Sequence, residues 1–575
     1  MLTPQVLTGG AVAVVLGLAA CSSGGGQSEG VRSTGPAQRG GTLHVLDEGT
    51  VLSWDPQRVY SSSDMSVANR LFSRTLTTFA PGTTRDQQRT LVPDLARDTG
   101  TTGDGGRTWS FVLRAGAAWQ DGRPVTCADV RYGISRQFAV DRLQGGPQYG
   151  LRYLDIPRNP NGSSRYAGPY RKTGQALFDK AVSCRGNTLG VRLNQPLPDF
   201  NRMVSLPAFS PFRADHDQGS GSNLEVFSNG PYMLKGAWKA GTGGVFVRNP
   251  HWDAAQDPIR KAYPDQVAFT EGLDTQQVVQ RLVADRGDDA TAVTQTSVPP
   301  AAVESALAAP GVRSRSTNPL SPLVEYLAPN LKSPSMANFK ARQALAMSTD
   351  RTAYVQAMGG TRTAVPTTAV ISQTLDAYRA FDPFGVGLSG DPKRAKVLLQ
   401  QSGLPSPVPL RVVYRKGTLR DRAMAALKAR WEQAGFTVSL IPLDSRYTTT
   451  VNQAAYASRA DVFWGLWEAD FGSALTMIPP LFDSRVNLSA AGSGQDLGYL
   501  NNPALNARMD AAARLRDDSA RARAWGDLDE TIARLAGSVA LVNQRSVFLH
   551  GSAVKNYSDH ELLGGSVDLA QIAVR

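Results

Sequence analysis

From Phe339 onward the chain alternates between helical and extended patterns, and that alternation limits the fold more than any other feature. Phe339 to Thr349 reads as a helix. Asp391 and Pro392 suit the N-cap and first position of another, with Gly403 as its stop. Arg420 to Ala434 is a third helix, ending at Gly435. Phe436 to Leu443 follows as a strand, and Asp461 to Trp467 is an aromatic-rich strand. Pro503 to Leu535 is helical with a break near Asp518, and Val539 to Leu541 and Val547 to His550 return to strand. Mixed helices and strands with a late return of the chain imply an α/β or α+β protein of more than one lobe. With 575 residues, one compact core is too little.

The first half is less regular. Gly41 to Leu46 reads as a first strand, and apolar residues at Met65, Ala68, Phe72 and Leu76 recur at helical spacing up to Phe79. Trp109, Phe111 and Leu113 alternate along Arg107 to Arg114, so that segment is a strand. Thr126 and Asp129 form a capping-box pattern that opens a helix through Phe138. Leu143 to Lys172 is rich in Gly, Pro, Tyr and Arg and reads as a long surface excursion. Leu189 to Leu193 and Val245 to Val247 read as strands.

The N-terminus carries an address. Ala11 to Ala20 is an apolar stretch of signal-peptide length, too short to span a bilayer. It ends in Leu18-Ala19-Ala20-Cys21, similar to a bacterial lipobox, which makes residues 1–21 a lipoprotein signal and Cys21 the lipidated residue. The alternative is a buried apolar strand with a chance cysteine. Residues 22–39 suit a flexible tether. One feature departs from the pattern: Met1 to Gln5 holds no Lys or Arg, although a charged leader is usual. A lipidated Cys21 leaves Cys127 and Cys184, either a disulfide in an oxidising exterior or two separate buried thiols.

The formal charge of +12 is spread along the chain without aromatic interleaving, which argues against nucleic acid. His44, His216, His251, His550 and His560 show no metal-ligand spacing. No G-x-S-x-G elbow or Walker loop occurs. No metal, cofactor or catalytic residue is assigned, and a monomer is expected.

Six segments, in order, resemble the extracytoplasmic solute-binding proteins of the peptide/nickel class of ABC importers, family 5. They are Arg107 to Val130 (RTWSFVLRAGAAWQDGRPVTCADV), Asn229 to Trp238 (NGPYMLKGAW), Arg342 to Arg351 (RQALAMSTDR), Asp391 to Gly403 (DPKRAKVLLQQSG), Trp431 to Val438 (WEQAGFTV) and Asp461 to Phe482. The resemblance implies a two-lobed periplasmic-binding-protein-like fold of α/β class. Lobe I is discontinuous (40–70, 188–267 and 542–575), an extra subdomain spans 71–187, and lobe II is continuous over 268–541. The lobes close on a hinge around a small solute, which passes to an ABC importer permease.

The same resemblance implies the site. Asp470, in Trp467-Glu468-Ala469-Asp470, matches the residue that pairs with a peptide α-amino group in relatives. The backbone of Gly465, Leu466 and Trp467 adds the peptide as a strand. Trp464 and Trp467 are candidates for the cleft wall, and Tyr60 and Ser61 match a lobe I stretch that touches peptide. Glu468 departs from the family, where a smaller or uncharged residue is usual. It either favours a ligand with two positive centres or points away. Regular alternation puts Trp464, Glu468 and Asp470 on one face and Trp467 on the other. Three alternatives stay open: a non-peptide ligand such as a nickel chelate, haem, sugar or cationic solute; a peptide-sensing lipoprotein without transport; and an exported hydrolase.

Overall fold

The computed structural model describes residues 36–575, so the apolar stretch, Cys21 and the tether up to Gly35 lie outside the described residues. Thr42–Leu46 forms β1 and Ser62–Leu71 forms α1. The helical pattern drawn through Phe72 and Leu76 overshoots. The amides of Phe72 and Ser73 both return to the Ala68 carbonyl, Phe72 leaves helical geometry at φ −140°, and the chain becomes extended at Thr77.

The chain then makes an excursion built on four antiparallel strands: β2 (Thr101–Gly103), β3 (Thr108–Val112), β4 (Val182–Arg185) and β5 (Thr188–Arg192), in the order β2-β3-β5-β4. β3 buries Trp109 and Phe111 by alternation. Helix α2 (Cys127–Arg136) starts at the Thr126–Asp129 capping box, both halves of which form. A disulfide joins Cys127 at the start of α2 to Cys184 on β4. A short helix, α3 (Tyr149–Tyr153), lies inside the stretch read from sequence as a surface excursion. β5 pairs with β3 from Thr108↔Arg192 to Val112↔Thr188. The subdomain therefore reaches Arg192, and its expected end at 187 is corrected by that ladder.

The chain returns through β6 (Tyr232–Lys239), β7 (Gly243–Arg248), β8 (Gln266–Thr270), α4 (Thr275–Ala284), β9 (Ala292–Thr294) and α5 (Val303–Ala308). The lobe I sheet runs β9-β1-β8-β7-β6, with β8 and β9 both parallel to β1. A lobe II starting at 268 would cut β8 in half. β9 pairs with β1, and Leu46, Val278, Leu282 and Leu307 share one apolar cluster, so α4, β9 and α5 belong to lobe I.

Lobe II holds β10 (Leu320–Pro329), α6 (Phe339–Ser348), β11 (Ala364–Pro366), α7 (Pro392–Gln400), β12 (Val408–Arg415), α8 (Thr418–Gln433), β13 (Phe436–Leu443), β14 (Val462–Glu468), α9 (Pro503–Arg514), α10 (Asp518–Arg534) and β15 (Val539–Arg545). Its sheet runs β11-β15-β10-β14-β12-β13. β12, α8 and β13 form a parallel crossover unit, in register from Val408↔Phe436 to Arg415↔Leu443. β15 stays in the lobe II ladder as far as Arg545, opposite Leu320, which moves the expected boundary at 541. The two passages between the sheets pair with each other as Ser316↔Leu549 and Thr317↔Phe548, a two-stranded ribbon between the lobes. Among the described residues no helix is long and apolar enough to cross a membrane.

Candidate functional site

β14 is the element on which the site is built. One edge pairs with β10 along its whole length, from Val462↔Pro329 to Glu468↔Leu323. The other edge pairs with β12 only at Val462 and Phe463. Beyond Phe463 that edge lies outside the ladder, although the Trp464 carbonyl accepts from the Tyr447 hydroxyl. Gly465 has a packing reason: a Cβ there would come within 2.2 Å of the Tyr326 ring, its partner across the ladder.

The two tryptophans part company. Trp464 is buried in the core of lobe II, where its indole N–H donates to Glu325 Oε2 at 3.1 Å and the Arg420 guanidinium sits 4.1 Å from its ring centre. It does not wall the cleft. Trp467 does: it lines a cavity of about 1670 Å³, with its indole N–H held by the Thr476 carbonyl at 2.6 Å. The shared face expected for Trp464, Glu468 and Asp470 does not form, because the strand ends at Glu468 and Asp470 lies in the bend beyond it. Gly465 and Leu466, expected to pair with ligand through their backbone, lie off the cavity lining, and the Leu466 side chain packs on the core.

Asp470 lines the cavity and receives two hydroxyls from the other side of it. Tyr60 donates to Oδ1 at 3.0 Å and Oδ2 at 3.1 Å, and Tyr149 on α3 donates to Oδ2. Burial pushes the Asp470 carboxyl above its usual range, and the two tyrosine hydrogen bonds pull against that rise. Burial, with the Asp470 charge, holds both phenols well above their ordinary range, so they stay protonated donors. Burial pushes Glu468 up to about 7; the Ser62 hydroxyl lowers it and the Asp470 charge adds to the rise. Neither carboxylate has a cationic partner among the described residues. Glu468 lies off the cavity lining, toward the start of α1. Ser61 also lies off the lining, as the N-cap of α1 accepting the Asp64 amide at 3.1 Å.

The cavity thus lies between Tyr60 of lobe I, the subdomain and lobe II. Outside this cavity, beside a second and smaller one, Arg521 of lobe II pairs with Asp199 at 2.8 Å, and Ser473 Oγ donates to the same carboxylate at 2.6 Å. Tyr149, Arg152, Arg158 and Arg165 were not nominated from sequence, yet all line the cavity. Their signal was present as the Tyr and Arg content of the excursion. What sequence withheld was that the excursion folds over β14. Among the described residues no cluster of three or more His, Cys, Asp or Glu is placed to hold a metal.

A chain of this sequence and fold has known counterparts. Residues 90–488 match the family described as bacterial extracellular solute-binding proteins, family 5 Middle. The solved structure of "Clavulanic acid biosynthesis oligopeptide binding protein 2" superposes with a TM-score of 0.84 at 30% identity, covering 93% of this chain and 96% of that one. The "Probable deoxycholate-binding periplasmic protein YgiS" of Escherichia coli (strain K12) is 27% identical over 484 residues, 83% of this chain and 82% of that protein. The "Periplasmic oligopeptide-binding protein OppA" of Salmonella typhimurium is 23% identical over 436 residues, 74% of each chain. The two lobes, the subdomain and the matched span agree: this chain belongs to the bacterial extracellular solute-binding proteins of family 5 and has their two-lobed α/β fold.

Proposed function

We propose that this protein captures short peptides in the cavity between its lobes and delivers them to the permease of an ABC importer. A lipid on Cys21 would hold it at the outer face of the membrane. The observation that carries the reading is Asp470, a carboxylate in a cavity whose side-chain hydrogen-bond partners among the described residues are two tyrosine hydroxyls. A buried carboxylate without a cation is costly, and the α-ammonium of a peptide supplies the missing charge. The open edge of β14 beyond Phe463 supports backbone pairing with an extended peptide, which gives affinity without demanding particular side chains. Two of the relatives carry oligopeptide binding in their names.

The test is thermal unfolding of the purified protein with a mixed library of short peptides. Ligand at a hundred times its Kd stabilises by about 2.7 kcal/mol. Asp470→Ala should remove most of that gain, and N-acetylated peptides should give none. No shift with any free-amino peptide overturns the peptide reading. Release of a Cys21→Ser protein into the medium checks the anchor. A second reading, an amphipathic carboxylate as ligand, draws on the name of the Escherichia coli relative. Stabilisation by deoxycholate that survives Asp470→Ala would favour it.

A further inference from the structure

Six arginines line the cavity; Arg514 on α9 stands within charge range of Asp510, and the other five fall into two groups. Arg171 is neutralised by Asp141 at 2.6 Å, and Arg485 by Asp483 at 2.9 Å and Asp510 at 2.7 Å. Arg152, Arg158 and Arg165, all on the subdomain, pair with no carboxylate among the described residues. Neutral groups position two of them. Arg158 donates to the carbonyls of Gly162 at 3.0 Å and Leu151 at 2.9 Å, and the Arg152 guanidinium lies 5.2 Å from the Tyr153 ring centre. Such partners fix a guanidinium without cancelling its charge.

The backbone gathers these residues. Arg158 bridges Ser164, Asn159 N–H donates to the Ser163 carbonyl at 2.8 Å, and Arg165 N–H donates to the Pro157 carbonyl at 2.9 Å. That is a small hairpin with Arg158 on one arm and Arg165 on the other. Arg152 sits three residues after Tyr149 on α3, on the same helix face and about 5–6 Å from it between Cβ atoms. Tyr149 holds Asp470. The cavity is therefore bipolar: one carboxylate seeking a cation, and one turn of helix away a wall of positive charge seeking an anion.

We propose that Arg152, Arg158 and Arg165 form a second subsite that takes an acidic side chain of the bound peptide, so that the cavity selects peptides carrying negative side-chain charge near their free amino end. The inference rests on the peptide reading above. Arg152 stands one helical turn from the tyrosine that holds Asp470, so the carboxylate in reach is that of a side chain close to the amino end, and the chemistry of recognition is charge-assisted, forked hydrogen bonds from guanidinium. The positive wall also draws anionic peptides toward the cleft, an attraction that salt screens.

Calorimetry with three peptides on one alanine frame tests this: a C-terminal amide with no charge beyond the amino group, the same peptide as a free acid, and an amide carrying internal aspartates. The aspartate amide should bind about tenfold or more tighter than the neutral amide. An advantage confined to the free acid overturns the subsite, because the C-terminus and not a side chain would then be the carboxylate bound. The advantage should shrink as salt rises and fall below about twofold in an Arg158→Gln, Arg165→Gln double variant. These arginines are exposed, and an unchanged unfolding midpoint checks the variant; the salt series in the unaltered protein is an independent measurement. Equal affinity for all three peptides, or an advantage that persists in the variant or at high salt, overturns the subsite while leaving the peptide reading intact. No binding by any of the three rejects the peptide reading and the subsite together.

Discussion

Two sets of carboxylates in this protein are withdrawn from water in opposite ways. Asp94 and Asp257 sit at the junction of subdomain and lobe I, fully buried, each with its charge met. Arg260 bonds Asp94 at 2.8 Å and Asp257 at 3.1 Å, and Arg74 bonds Asp94 at 2.8 Å. Despite burial, the arginines hold both acids below the usual carboxylate range. Asp470 has, among the described residues, only phenol hydroxyls and lies above it. The first arrangement is complete in itself. The second is a half-made ion pair, and a partner must come from outside.

The largest effect expected from breaking this contrast is at the completed pair. Asp94→Ala leaves two buried guanidiniums, Arg74 and Arg260, sharing the single carboxylate of Asp257, and removing one partner of a buried pair costs about 3–5 kcal/mol. Denaturant unfolding should show that loss, with no rescue specific to peptide. Asp470→Asn should do the reverse. It removes a charge that has no cation, so the ligand-free protein should unfold at the same denaturant concentration or higher. Peptide affinity should fall by about a hundredfold, the scale of one lost charge-assisted contact left unpaired. Calorimetry and denaturant titration on the same variant separate the two outcomes. A variant that loses stability as much as affinity would place Asp470 with Asp94 as a structural residue.

Local signals explain what was legible in the sequence. The Thr126–Asp129 box, the Asp391–Pro392 start and the break before Asp518 each act within one turn of helix, and each formed where it was read. The lobe boundaries were misplaced because they depend on partners hundreds of residues away: β9 joins lobe I through β1, and β5 leaves it for β3. Alternation along β14 was legible, but not which face meets ligand, since Glu325 and Arg420 on other elements decide where Trp464 goes. Asp470 was found through a motif. Tyr149, 321 positions away, had none, because a tyrosine in an irregular stretch announces nothing until the chain folds it onto its partner.

The smallest expected effect sharpens the comparison most. A carboxyl raised in the folded state binds its proton more tightly there than when unfolded, so it contributes stability at low pH and loses it as pH rises. For Glu468 the contribution is full below its unfolded value of 4.5 and is lost as pH rises through about 7. Asp94 has the opposite sign: its contribution is present above 3.8 and is lost as pH falls through its lowered folded value. Between about 7 and 4.5, then, acidification should raise the unfolding midpoint of the ligand-free protein. Burial also pushes Asp496, Asp529 and Asp559 up to about 7, so the informative quantity is the difference from Glu468→Gln, whose profile should be flatter over that window. Peptide affinity should run the other way, weakening as acid protonates Asp470, because an ammonium needs the ionised form. Stability and affinity that rise together on acidification would mean that the bound cation does not depend on Asp470, and the contrast with Asp94 would lose its functional content.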